Sequence, residues 1–368
     1  MNVAIGAVVG TLGGPATYAI QLVRALAEEF PQDRWTVVTD RPQAFAGITE
    51  TVHVPLGSPW RQPLWDHLGV ARALGRGRYD LYHGTKGVVP RRLALPAVVT
   101  VHDLAVRVLP HTFSRAQRWH LRVETPSTLR RARAVITDSR SSANDLERFY
   151  PAVADRVTVV PLAPPRALAP AGAAAIAAGK RARSIDRTTL VAELGTVQPR
   201  KNIDLLADAF RRAAGTRPWG LLLAGRLRPG YRPACLDDPD PRIRYLGEID
   251  DAELPAFLGA LSCMVSPSSY EGFGLTFLEA MAAGCPVVGV ANSSVPEVVG
   301  DAGILVGEPE AAALADAIET VVTDVALAAD LSRRGVERAA LFSWRETARR
   351  TREVYARVLA DPRRPATT

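Results

Sequence analysis

Residues Ser266 to Val288 read SPSSYEGFGLTFLEAMAAGCPVV, and the reading of the whole chain works outward from them. A polar, Gly-rich turn, Ser266 to Gly274, follows the apolar run Leu258 to Val265. Thr276 to Ala283 is rich in Leu, Phe, Glu, Ala and Met and predicts a helix; Gly284 stops it, and Pro286 to Val290 predicts the next strand. A helix start carries unpaired N–H groups and partial positive charge, and a glycine before it lets a ligand approach the backbone. Phe273, Gly274, Leu275 and Thr276 are therefore expected to form an anion site, with Glu271 in the loop before it. Glu279 lies two turns along, near the mouth. Two carboxylates beside an anion-binding turn suit a ligand that is phosphate at one end and polyhydroxyl at the other, such as a nucleotide-sugar.

Composition bounds the class. A chain of 368 residues is more than one core usually organises, so two domains are expected. Hydrophobic content of 47% and aromatic content of 6% fit a globular α/β protein. No apolar stretch is long enough to span a membrane, and the strand-like run at the N-terminus does not resemble a signal peptide. Cys235, Cys263 and Cys285 form no disulfide framework, which with the rest points to a cytoplasmic protein. The net charge of +7 favours anionic partners without choosing among phosphates, nucleic acid and membrane. Nucleic acid is disfavoured, because aromatics do not interleave with the basic runs.

Strands and helices alternate along the chain. Asn2 to Val9 predicts a strand, followed by a turn containing Gly13 and Gly14 and by a helix over Ala16 to Phe30. Gly13–Gly14 reads equally as a plain tight turn. Ala97 to His102 is a buried strand ending on His102–Asp103, where the imidazole is either a ligand donor or a structural histidine bonded to Asp103. Ser114 to Arg133 places Arg115, Arg118 and Arg122 on one helical face, either a solvated surface or a site for anionic lipid or acceptor. Pro126 is expected to break that stretch. Asp138–Ser139 predicts a cap for the next helix. Pro161 to Arg183, rich in Pro and Ala without an apolar period, reads as linker. Thr189 to Leu194 restarts the pattern as a strand into Gly195, and Asn202 is expected to cap the helix over Ile203 to Ala214. Arg200 and Lys201 stand just before it, placed to neutralise a diphosphate. Asp238-Pro239-Asp240 has metal-site spacing but reads as turn chemistry, so no metal is expected.

The segment EGFGLTFLEAMAAGCPVV resembles the E-x7-E motif of the retaining glycosyltransferases of family 4, and other motifs extend the resemblance over most of the chain. It implies the α/β GT-B fold: two Rossmann-like doubly wound domains facing each other across a cleft. The implied boundaries are an acceptor-binding domain over 1–165, a linker over 166–187, a nucleotide-sugar-binding domain over 188–342, and a C-terminal helix over 343–360 returning to the first domain. The resemblance also implies site roles. Glu271 would face the donor sugar and Glu279 the ribose, while the backbone of Gly272 to Thr276 would hold the diphosphate together with Lys201 and Arg200. Gly13 and Gly14 would lie against phosphate and acceptor, and His102 would approach the sugar as in mannosyltransferase-like members. Leu246 and Gly247 would hold the base through backbone atoms. Thr196 stands where the commoner pattern has Arg.

The implied activity is transfer of a hexose, mannose- or rhamnose-like, from a nucleoside-diphosphate sugar to a hydroxyl of a glycan, lipid-linked or small-molecule acceptor. No cofactor is implied. A nucleotide-sugar 2-epimerase of the same fold, or a non-catalytic sugar-nucleotide-binding protein, shares much of this logic. A phosphorylase-like enzyme would need a pyridoxal phosphate lysine chosen from Lys86, Lys180 and Lys201.

Overall fold

A computed structural model of the chain describes residues 1–9, 13–58, 61–75, 77–165, 168–237 and 240–361. The chain divides into two compact units. One is formed by residues 1–162 together with the segment from 343 onward, the other by residues 163–342.

The first unit is built on seven strands: β1 (Asn2–Ala7), β2 (Arg34–Thr39), β3 (Glu50–His53), β4 (Leu81–Gly84), β5 (Ala97–Thr100), β6 (Ala134–Thr137) and β7 (Val157–Val159). Their order is β3-β2-β1-β4-β5-β6-β7, every pairing parallel. Parallel strands are covered on both faces, which explains why β5 and β6 are buried at every position with no alternation. The helix Trp344–Ala360 packs against the helix Gly14–Glu29 in this unit. It is fixed there by Thr347 Oγ1 donating to Pro161 O at 2.7 Å and by Arg352 Nε to Asp33 at 2.6 Å.

The second unit has six strands: β8 (Leu190–Leu194), β9 (Gly220–Ala224), β10 (Ile243–Gly247), β11 (Cys263–Ser266), β12 (Val287–Val290) and β13 (Ile304–Val306). All pair in parallel in the order β10-β9-β8-β11-β12-β13. Its core packs Val191, Leu221 and Leu223 of the sheet against Phe210 and Ile318 of flanking helices.

The order of each sheet reverses once, at β1/β4 in the first unit and at β8/β11 in the second. Chain leaving neighbouring strands at such a point diverges to opposite faces and opens a crevice at their carboxyl ends. This places the Gly13 turn and Thr85 at one switch point, and Arg200, Lys201 and the Ser268–Gly274 turn at the other.

Three local expectations are corrected. Pro126 does not break its helix, which runs from Arg115 to Arg131. The half beyond the proline is held by buried contacts, Arg131 to Glu124 at 3.0 Å and Thr128 to Glu124 at 3.1 Å, and these override the lost backbone donor. The stretch read as linker contains a helix, Ala173–Ala182, in which alanine supplies propensity without an apolar stripe. Asn202 occupies the N-cap position of the helix Ile203–Ala214 but its side chain makes no capping bond. Its amide instead donates to Pro267 O at 2.9 Å and Ser269 Oγ at 2.8 Å, tying this turn to the loop after β11.

Candidate active site

The second unit gathers most of the residues singled out in the sequence. β8 is followed by Gly195, whose φ of 117° lies in the left-handed half of backbone space. A Cβ there would come within 3.4 Å of Thr276 and 3.7 Å of Lys201 Nζ, so the strand end is closed over by both motifs. The turn Pro199–Lys201 then brings Arg200 and Lys201 back over the end of β11.

Lys201 is buried, and its ammonium is 2.9 Å from Glu193 Oε1, 3.1 Å from Glu271 Oε1 and 3.4 Å from Ser266 Oγ. Arg200 reaches the other oxygen of Glu271 at 2.8 Å and donates to the Tyr270 carbonyl at 2.5 Å. Ser268 Oγ donates to Glu271 Oε1 at 2.6 Å. The Glu271 backbone is fixed as well, its N–H donating to Ser293 Oγ at 2.8 Å and its carbonyl accepting from Ser294 Oγ at 2.9 Å. Asn202 (φ 50°) and Ser293 (φ 45°) both hold left-handed conformations in the walls of this cluster, strain that surrounding hydrogen bonds must sustain.

These contacts set the charges. Burial alone would raise the Glu271 carboxyl, but Arg200 and Lys201 outweigh it and pull it down to about 2. Burial pushes Glu193 up to about 7 against the pull of Lys201, and it pushes Glu279 up to about 8 with help from Asp251. Burial would lower Lys201, but Glu193 and Glu271 hold it above its ordinary value. Near neutral pH the cluster therefore contains two firm cations, one firm carboxylate and, in Glu193 and Glu279, two carboxyls close to their titration points.

Beside it, Gly274 (φ 92°) precedes the helix Leu275–Ala282, whose N-terminus has neither a side-chain cap nor an acidic residue in its first turn. Phe273 is buried and packs edge-on against Phe342 at 6.0 Å, so its ring is withdrawn and a ligand would meet its backbone. Glu279 stands on this helix, half-buried. Leu246 and Gly247 lie on β10 at the sheet edge, where the Gly247 carbonyl accepts from Gly225 N at 2.7 Å.

In the first unit, Gly13 and Gly14 begin the helix Gly14–Glu29, and among the described residues nothing lies within 4 Å of where a Cβ would project. His102 follows β5, with Nδ1 2.6 Å from Asp138 Oδ2 and Nε2 2.9 Å from the Thr85 carbonyl. This corrects one expectation. The histidine pairs with Asp138 and not with its neighbour Asp103, which accepts from Ala105 N instead. Both ring nitrogens face the protein, so neither is turned toward a ligand here. A carbonyl can only accept, so Nε2 carries a proton, and Asp138 outweighs the effect of burial to raise the imidazole above its usual range. Burial raises the Asp138 carboxyl as well, so the two groups share one proton across the short Nδ1–Oδ2 contact. Ser139 caps its helix as expected, accepting from Ser142 N at 3.0 Å.

Asp238 and Pro239 of the D-x-D spacing lie outside the described residues. Asp240 is committed to Arg242 at 2.9 Å and Arg211 at 3.6 Å, and among the described residues no cluster is suited to a metal. The sequence reading missed Glu193, Ser266, Ser268 and Ser293. A lone carboxylate in the apolar run Leu190–Leu194 was the one signal available for Glu193.

Comparison with known proteins bears on this arrangement. Residues 188–324 match the model for "Glycosyl transferases group 1" and residues 12–163 that for "Glycosyltransferase Family 4". The O-antigen chain mannosyltransferase B of Escherichia coli is 31% identical over 283 residues, covering 75% of this chain and 74% of that protein. The chain belongs to the family 4 (group 1) glycosyltransferases. The D-inositol 3-phosphate glycosyltransferase of Mycobacteroides abscessus is 32% identical over 79% of this chain and 69% of its own length. Among solved structures, Anabaena HepE in complex with UDP and glucose superimposes with a TM-score of 0.78 at 20% identity, covering 97% of this chain and 99% of that one. WaaG, a glycosyltransferase involved in lipopolysaccharide biosynthesis, gives 0.75 at 16% identity, covering 96% and 99%. These structural likenesses establish the GT-B fold.

Proposed function

We propose that this glycosyltransferase takes a nucleoside-diphosphate sugar as donor and transfers a hexose, mannose-like in preference, with retention at the anomeric carbon. The observation that carries the reading is the buried Lys201 ammonium, held beside Arg200 at the carboxyl ends of β8 and β11, next to an uncapped helix N-terminus. Such a cluster fits a diphosphate, and the same charges would stabilise the negative charge that builds on the leaving phosphate as the glycosidic bond breaks. In this reading Lys201, Arg200 and the Gly272–Thr276 backbone hold the diphosphate, Glu279 takes the ribose, and Leu246 and Gly247 border the base. Glu271 is committed to two cations and a serine, so its first task is to hold Arg200 and Lys201 in place, and contact with the sugar is its second. In the first unit this reading assigns the Gly13–Gly14 turn to phosphate and acceptor, and brings His102 to the sugar by exchange of its Nε2–H from the Thr85 carbonyl to a sugar hydroxyl. No metal or cofactor is needed, because the cations are the protein's own.

The mannose preference rests on the identity to a mannosyltransferase, and a glycan hydroxyl is the acceptor class that this relative's name supports. Association with an anionic membrane is a finer element of the same reading. Trp119 is 70% exposed on the helix that carries Arg115, Arg118 and Arg122, and Leu68 is 62% exposed on a segment joined to that helix by His67 and Glu124 at 3.1 Å. The deciding experiment is incubation of the purified protein with single nucleotide-sugars, with nucleoside diphosphate release and thermal shift as readouts. Stabilisation and slow hydrolysis with one donor support the reading. An epimerised sugar formed without acceptor would replace it with the epimerase reading, and no binding of any nucleotide-sugar would refute both.

A further inference from the structure

Glu193 is the unusual member of the donor cluster. It is the one carboxylate in β8, it is fully buried, and its two oxygens are in unlike surroundings. Oε1 is 2.9 Å from Lys201 Nζ and 3.5 Å from Ser266 Oγ. Oε2 is buried and has no hydrogen-bond partner among the described residues. The charged groups around it are Lys201 and Arg200 on the turn after β8 and Glu271 on the loop after β11. Glu271 is itself satisfied by Arg200, Lys201 and Ser268, so it stays ionised whatever Glu193 does. The charge on Glu193, by contrast, rests on Lys201 almost alone.

We propose that Glu193 couples donor binding to protonation: its carboxylate holds the Lys201 ammonium in position in the free protein and takes up a proton when the donor's diphosphate claims that ammonium. This rests on the reading of Lys201 as a diphosphate ligand. With all four side chains ionised, Lys201 and Arg200 are cancelled by Glu193 and Glu271, and an arriving diphosphate would meet a site of no net charge. One proton from solvent, added to the Glu193 carboxylate with no other bond made or broken, restores a single positive charge where the anion binds. A neutral carboxyl with one unpartnered oxygen is also far cheaper to bury than a carboxylate in the same place. Burial holds the free-state value at about 7, so the uptake falls within the working range of pH. The sign comes from linkage. A nearby anion raises the carboxyl further, so donor affinity is full below the free-state value and declines as pH rises through it.

Isothermal titration calorimetry with UDP-glucose and GDP-mannose tests this, because a sugar-esterified diphosphate has no ionisation of its own near neutrality. Titrations in two buffers of different ionisation heat report the protons taken up. The wild type is expected to take up a large fraction of one proton near pH ~8, with affinity falling by up to about tenfold per pH unit above ~7. Glu193→Gln should lose the uptake, show a flat profile and bind more tightly than wild type at high pH. Glu279, pushed up to about 8, is the competing source of a proton, so Glu279→Gln should keep the uptake even though it weakens binding. Uptake kept in Glu193→Gln, or lost in Glu279→Gln alone, overturns the proposal. Difference infrared spectroscopy of the wild type and of Glu279→Gln needs no Glu193 variant. A protonated-carboxyl band should appear in both on binding, and its absence overturns the proposal even if Glu193→Gln fails to fold. Binding without uptake or pH dependence leaves the donor assignment standing and removes this inference. Binding of neither sugar nucleotide nor any other donor by the wild type removes both.

Discussion

Replacing Lys201 with methionine removes a charge while keeping most of the side-chain volume, and the contacts of the ammonium set the consequences. It lies within 3.4 Å of three oxygens, on Glu193, Glu271 and Ser266. Glu271 retains Arg200 at 2.8 Å and Ser268 at 2.6 Å, so its charge survives. Glu193 loses its one close cation. Stranding a buried carboxylate costs about 3–5 kcal/mol where the charge must persist. Here it need not persist, because Glu193 already sits at about 7 with Lys201 present and moves higher without it. At neutral pH it protonates, and the loss shrinks to the lost charge-assisted hydrogen bonds, about 1–3 kcal/mol. Above neutrality the penalty relative to wild type should grow toward the linkage limit of about 1.4 kcal/mol per pH unit. Catalysis is affected separately. Removing one preorganised charge from the leaving phosphate should lower kcat/KM for the donor by about 10²–10³-fold, or ~3–4 kcal/mol. Urea unfolding at two pH values together with donor kinetics reads both quantities. Activity within about threefold of wild type would refute the role of Lys201. A stability deficit that does not grow between pH ~7 and ~9 would refute the account of Glu193.

Asp138→Asn removes the carboxylate that raises His102 and should lower its titration midpoint, followed by long-range nitrogen–proton spectra; an unchanged midpoint would refute the pairing. Gly225→Ala would set a Cβ 1.9 Å from the Gly195 carbonyl oxygen, backbone against backbone at φ 133°, and should cost about 2 kcal/mol or more in chemical denaturation, while Gly172→Ala, whose Cβ would meet nothing within 4 Å among the described residues, should be neutral. Acid should weaken the second unit through Glu271: its carboxyl is depressed to about 2, so the stability it adds is complete above its unfolded value of about 4.5 and is lost as pH falls toward 2, up to about 3 kcal/mol. Glu271→Gln should remove that acid-dependent loss. Vesicles rich in anionic lipid should sediment the protein and neutral vesicles should not, with Trp119→Ser together with Arg118→Ser abolishing the difference; equal sedimentation of wild type and variant would refute membrane association through this helix.

The parts of this molecule that were legible in the sequence depend on local physics. The buried parallel strands read as apolar runs, and the helix Leu275–Ala282 announced itself through Gly274 before it and Gly284 after it. The unread parts depend on distance along the chain. His102 and Asp138 are 36 residues apart, and the partner assigned by adjacency, Asp103, faces a backbone amide instead. Pro126 is a helix breaker by propensity and was overruled by contacts to Glu124 that only tertiary structure supplies. The helix Ala173–Ala182 lacks an apolar period because nearly every position is alanine, so pattern was silent where propensity was not.

Glu193 combines both difficulties, and it explains what the familiar motif residues cannot explain by themselves. Lys201 and Glu271 were evident as candidate ligands, yet a buried lysine and a buried glutamate 3.1 Å apart would simply satisfy one another, leaving little positive charge to offer an anion. Arg200 restores one cation by taking the second oxygen of Glu271. A further ionised carboxylate on Lys201 would cancel that gain. The site can therefore be both well ordered without donor and attractive to it only if one acid changes its charge between the two states. Of the carboxyls around Lys201, Glu271 is locked in the ionised form by its partners, and Glu279 is governed by burial and Asp251 more than by Lys201. Glu193, with one oxygen on the ammonium and the other on nothing among the described residues, is the group left to make that change.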